Sequence, residues 1–214
     1  MRRNVLTLWM AVCLSLCLWA GPGLAGSTPP DYRSLSFGPI SWPEPEVETF
    51  TSDNGVAFFL IEDHELPLIQ VQVMVRSGGF RVPENQTGLA EIAGEAMRSG
   101  GTHEHPPQKL NELLANKAAE METSFGFISG SAGMSVMTED FEDLLPVFVE
   151  LLHRPAFPED KIEQAKDRLR TRIARRNDKQ AGIAMRTFQR LIYGEDSLYA
   201  REPEYETVDN IRRE

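Results

Sequence analysis

A chain of 214 residues has room for one large or two small domains and is too short for most multidomain enzymes. Its 22 basic and 32 acidic side chains give a formal net charge of -10, which argues against a nucleic-acid binder because a phosphate backbone repels such a surface. With 41% apolar and 25% charged residues the composition is that of an ordinary globular protein, which excludes intrinsic disorder, collagen-like repeats and long coiled coils.

Arg2 and Arg3 precede an uncharged apolar run over residues 5–20, and small residues follow at Gly23, Ala25 and Gly26. This pattern reads as a secretory signal peptide over 1–25, cleaved after Ala25, with an uncleaved membrane anchor as the alternative. The expected location is outside the cytoplasm, periplasmic or extracellular, with membrane contact only through an uncleaved segment. Both cysteines, Cys13 and Cys17, fall in that segment, so no disulfide or cysteine metal site is expected beyond it. Without Arg2 and Arg3, 20 basic and 32 acidic residues remain, a charge of -12.

Residues 26–45 are rich in Ser, Pro and Gly and read as a linker, followed by an α+β unit over 46–214. A strand at 46–51, a turn at Asp53-Asn54-Gly55 and a second strand at 56–61 form a hairpin signal, because Asn-Gly favours positive φ. Ile69, Val71, Val73 and Val75 alternate along a third strand at 68–76, which predicts an antiparallel meander. A helix is expected over 87–99 with Leu89, Ile92, Ala93, Ala96 and Met97 facing the core, and another over 108–119. Strands at 121–128 and 130–137 come next. Helices at 139–152, with Thr138 as N-cap, at 159–176, and at 181–193, stopped by Gly194, complete the pattern. This order of elements predicts an α+β fold, a mixed and mainly antiparallel sheet with helices on one face.

The histidines offer no catalytic arrangement. His103 and His105 alternate like a metal-binding tract but read as a solvated loop, since two ligands without a third rarely hold zinc. The basic run from Lys161 to Arg176 reads as a solvated face, and export lowers any nucleic-acid reading further.

The helix at 87–99 carries the informative constellation. Glu91, Gly94, Glu95 and Arg98 are spaced i, i+3, i+4 and i+7 and share the face opposite the apolar stripe. The segment from Gly88 through Thr102 resembles the zinc helix of the pitrilysin/insulinase (inverzincin) metallopeptidases, which reads Gly-Leu-Ala-His-x-x-Glu-His and ends in Gly-Thr. Further likeness lies at Asn54-Gly55, at His64-Glu65-Leu66-Pro67, at Arg76-Ser77-Gly78 and at Arg154-Pro155-Ala156-Phe157. Ile192-Tyr193-Gly194 ahead of Tyr199 extends it, so the resemblance spans about residues 49–211.

In active members of that family the two histidines bind zinc and the intervening glutamate deprotonates the attacking water. The resemblance puts Glu91 at the first histidine, Gly94 at the base, Glu95 at the second histidine and Arg172 at the third ligand, a glutamate in the family. It therefore implies a degenerate site with no retained zinc ligand, no catalytic residue and no cofactor, since a guanidinium cannot ligate zinc and glycine cannot activate water. Two carboxylates could still take a hard cation such as calcium, against Arg172. The preferred expectation is that Arg172 supplies the positive charge and pairs with Glu91, Glu95 or both; the alternative keeps all three independent, with Glu95 paired to Arg98.

The family's substrate-binding edge strand corresponds to 118–123 here, making Glu122 and Thr123 the candidate peptide-binding positions. Family proteins hold homologous units that enclose a peptide. The implied function is thus a non-catalytic homologue that binds peptides or completes a chamber with a catalytic family member or a second unit. A stand-alone module for extended peptides and a peptidase with an atypical metal are the alternatives. Relatives continue beyond 212–214 with another helix and strand, so the unit is expected to be C-terminally incomplete.

Overall fold

The computed structural model describes residues 33, 35–41 and 44–213. The expected signal peptide, both cysteines and part of the expected linker lie outside the described residues. The chain divides into two units, 1–62 and 63–214, a boundary inside the stretch 46–214 that the sequence suggests as one.

In the first unit, β1 (Val47–Thr51) and β2 (Ala57–Ile61) form an antiparallel hairpin. Gly55 adopts φ +83°, the conformation that Asn-Gly favours, and Ser52 N–H donates to the Val56 carbonyl at 2.9 Å. Phe50 and Phe58 are direct cross-strand partners whose rings stack at 4.6 Å.

The second unit contains β3 (Leu68–Val75), α1 (Leu89–Gly100), α2 (Pro107–Asn116), β4 (Glu120–Phe125) and β5 (Gly130–Met137). It continues with α3 (Phe141–His153), α4 (Glu159–Arg175), α5 (Gln180–Tyr193) and α6 (Tyr205–Asp209). The strands form a sheet of order β3-β5-β4 with every pairing antiparallel. The expected meander is corrected here: β3 takes β5 as its partner. Ile69, Val71 and Val73 stand opposite Val136, Met134 and Ala132, so a single register puts apolar side chains of both strands on one face. Val75, expected on that face, is exposed.

Other boundaries shift for local reasons. The strand expected over 121–128 stops at Phe125, because Gly126 N–H donates to the Ser129 carbonyl and the chain turns. Thr138 does not cap α3; residues 138–140 form a 3₁₀ turn, Asp140 occupies the N-cap, and no side chain bonds there. The sequence missed α6, five residues closed by a Glu204/Thr207 capping box and too short to show helical period. Gly194 does end α5, at φ +87°.

Two apolar cores result. Leu110 and Leu114 of α2 and Leu144, Phe148 and Leu151 of α3 pack on Met121, Met134 and Val136 of the sheet. Ile92 and Ala96 of α1 pack with Ile162, Ala165, Leu169 and Ile173 of α4 and with Val208 and Ile211. The stripe expected on α1 is therefore split, with Met97 against the sheet core and Leu89, Ile92 and Ala96 against α4. Among the described residues no helix is long and apolar enough to cross a membrane.

Candidate functional site

Ala, Leu, Glu, Met and Arg, all strong helix formers, make up most of α1, with Gly94 in its interior, and Gly88 starts the helix at φ +109°. A side chain at residue 88 would meet Leu169 of α4 at 2.8 Å, so glycine here permits both the backbone conformation and the close approach of the two helices. The apolar contact between α1 and α4 then sets the charged residues along its rim in register.

Arg172 pairs with Glu91, and Arg168 pairs with Glu95. Residues four apart rise about 6 Å on a helix, so the two pairs form successive rungs between helices running in opposite directions. Arg98 goes elsewhere: its Nε donates to the Met121 carbonyl on β4, and its Nη1 donates to Asn111 Oδ1 at 3.0 Å. The sequence suggests a solvated basic run along α4, but the acids around it are close. Arg170 reaches Asp209 and Asp167, Lys166 is buried beside Glu163, and Arg176 reaches Glu204.

Gly94 departs from its expected place on an open face. It is buried against β4, where an added Cβ would lie 2.6 Å from the Phe125 backbone nitrogen and 3.0 Å from the Ser124 backbone. Thr123, also buried, donates its hydroxyl to the Gly94 carbonyl at 2.6 Å. Glu122 alternates outward and is exposed. A cleft of about 530 Å³ is lined by Glu91, Glu95 and Arg98 of α1, by residues 122–125 of β4 and by Arg168 of α4. Glu91, Glu95, Glu122 and Thr123 thus meet around one cleft, Gly94 packs against β4 without lining it, and Arg172 joins through Glu91.

These residues do not fit zinc. Both carboxylates already face guanidinium groups, neither arginine can donate a lone pair, and residue 94 between them has neither a side chain nor space for one. Among the described residues no three His, Cys, Asp or Glu side chains gather as metal ligands would.

Sequence reasoning missed Arg168. The signal was present, because Arg168 and Arg172 have the same four-residue spacing as Glu91 and Glu95, which antiparallel helices would bring together. It also missed the role of His105. His105 Nδ1 lies 2.9 Å from Glu150 Oε2 on α3, and the Thr102 backbone N–H donates to the His105 carbonyl, so the loop is fastened rather than freely solvated. Burial pushes the Glu150 carboxyl up, but hydrogen bonds from Thr102 and His105, the His105 charge and the Glu104 backbone together hold it below the usual carboxylate value.

No family profile and no curated protein matches this chain by sequence. The fold, however, is that of the pitrilysin/insulinase-like (M16) peptidases. A peptidase M16 inactive domain from Pseudomonas fluorescens superposes with a TM-score of 0.71 at 17% identity, covering 78% of this chain and 41% of that one. A protease from Helicobacter pylori gives 0.66 at 16% identity, with coverages of 79% and 41%. The periplasmic protease PqqL from Escherichia coli gives 0.65 at 16% identity, with coverages of 93% and 23%. The chain thus spans about two fifths or less of the length of these structures.

Proposed function

We propose that this chain is an exported, non-catalytic homologue of the M16 peptidases that holds extended peptides or completes a peptide chamber beside a catalytic partner unit. The observation that carries the reading is the pair of Arg–Glu bridges at Glu91 and Glu95 of α1, the two positions that the sequence resemblance aligns with the zinc-binding histidines of active relatives. Positive charge there comes from Arg168 and Arg172, which keeps Glu91 and Glu95 close without a metal and leaves no Lewis acid or water-activating base. Export rests on Arg2, Arg3 and the apolar run after them; likeness to a periplasmic protease agrees with it.

A second reading, a stand-alone module for extended peptides, is favoured by β4. It is the outer strand of its sheet among the described strands and forms one wall of the cleft, so an incoming peptide could pair with its backbone. Affinity capture with the tagged full chain from envelope extracts of its source organism separates the two. Recovery of a family member that retains the zinc-binding histidines supports the partner reading; peptide binding without such a protein supports the stand-alone module. Stoichiometric zinc with peptide hydrolysis would exclude both.

A further inference from the structure

We infer that Arg98 guards the outer edge of β4, holding it closed to an added strand until the guanidinium leaves the Met121 carbonyl. This rests on the peptide-binding reading of that edge and concerns how the edge opens. Gly126 N–H donates to the Ser129 carbonyl at 2.9 Å, which makes those two a hydrogen-bonded pair at the end of the β4–β5 hairpin. Bonded and non-bonded pairs alternate in an antiparallel ladder. Counting back along the register, Ser124↔Ser131 and Glu122↔Gly133 are bonded pairs, and Phe125↔Gly130, Thr123↔Ala132 and Met121↔Met134 are not. The backbone N–H and C=O groups of Met121, Thr123 and Phe125 therefore point away from β5, to the side where another strand would pair.

Helix α1 covers this row at both ends. At one end Arg98 donates to the Met121 carbonyl while Asn111 holds its other nitrogen. At the other, Gly94 lies against the Phe125 backbone nitrogen. Only the groups around Thr123 lie between them, along the cleft. A peptide that pairs along β4 must offer Met121 an uncharged amide N–H in exchange for a charged donor, which is unfavourable. The same contact explains how an exposed edge avoids pairing with other copies.

The test uses fluorescence anisotropy with a fluorescein-labelled peptide of sequence KVTVTVTK, titrated with the full chain and with Arg98→Ala and Asn111→Ala variants checked by circular dichroism. Arg98→Ala is expected to bind about tenfold more tightly than the unaltered chain, the scale of a lost charge-assisted hydrogen bond. Asn111→Ala, which loosens Arg98 without removing it, is expected to show a smaller gain. It alone decides the matter if Arg98→Ala does not fold. Tighter binding by the variants than by the unaltered chain supports the guard. Equal binding by all three overturns the guard and leaves the peptide-binding reading standing. No binding by any of them overturns both.

Discussion

Arg168 pairs with Glu95 one helical turn from the point where Arg172 pairs with Glu91, so two antiparallel helices are joined by two rungs of the same chemistry. All four side chains are at least one third exposed, so each rung is a screened surface pair contributing about 0.2–1 kcal/mol. Double-mutant cycles with Glu91→Ala/Arg172→Ala and Glu95→Ala/Arg168→Ala, measured by urea denaturation, should each give a coupling in that range that shrinks as salt rises. Zero coupling for both at low salt would leave the α1–α4 charges without mutual stabilisation.

Gly94→Ala weighs two opposed effects. Alanine gains about 0.8–1 kcal/mol of helix propensity over glycine. A Cβ at 2.6 Å from strand backbone must displace β4 or α1, and such overpacking costs about 1–3 kcal/mol. A net loss of stability is expected by thermal melting, and Gly94→Glu should lose more. A more stable Gly94→Ala variant would show that β4 is free to move away from the helix.

The Glu150 carboxyl gives the fold an acid dependence. Its folded pKa lies below its unfolded value near 4.5, so its contribution is fully present above that value and is lost as pH falls through the folded pKa. Urea midpoints measured from pH 6 down to pH 3 should fall less steeply for Glu150→Gln, which has no proton to gain at this position. An unchanged slope would mean that Thr102 and His105 do not favour the ionised carboxylate.

Deletion of the Thr123 methyl and hydroxyl addresses the contact between β4 and α1. Thr123→Ala removes a buried hydrogen bond to the Gly94 carbonyl, which inside α1 still accepts the helix's own backbone bond, and should cost about 0.5–1.5 kcal/mol, the net contribution of such a bond. Thr123→Ser keeps the donor and should recover most of that loss. Equal stability of the two variants would assign the effect to packing alone.

The periodic parts of the fold were legible in the sequence. Ile69, Val71 and Val73 announced the buried face of β3, and Asn54-Gly55 announced the first hairpin. Partner choice in the sheet was not legible, because neighbouring strands suggest a meander and only the joint register of Ile69, Val71 and Val73 with Ala132, Met134 and Val136 brings β3 to β5. At the site, the spacing of Glu91 and Glu95 placed two carboxylates on one helix, and the pairing of Arg172 with Glu91 follows the expectation drawn from the resemblance. Arg168 was not legible because the resemblance marks position 172 alone, and only the antiparallel packing of α1 on α4 brings the residue one turn earlier to Glu95. The burial of Gly94 was invisible for a different reason: helical spacing describes which residues share a face, but not that a strand lies against them.

Isothermal titration of zinc into the metal-free full chain, with inductively coupled plasma analysis of the dialysed product, tests the α1 site most directly. The expected result is no stoichiometric zinc and no change in heat when Glu91→Ala and Glu95→Ala replace the original residues. One zinc per chain at micromolar affinity, abolished by either substitution, would show that the carboxylates leave their arginines for a metal and would contradict the assignment of the site to arginine–glutamate pairs.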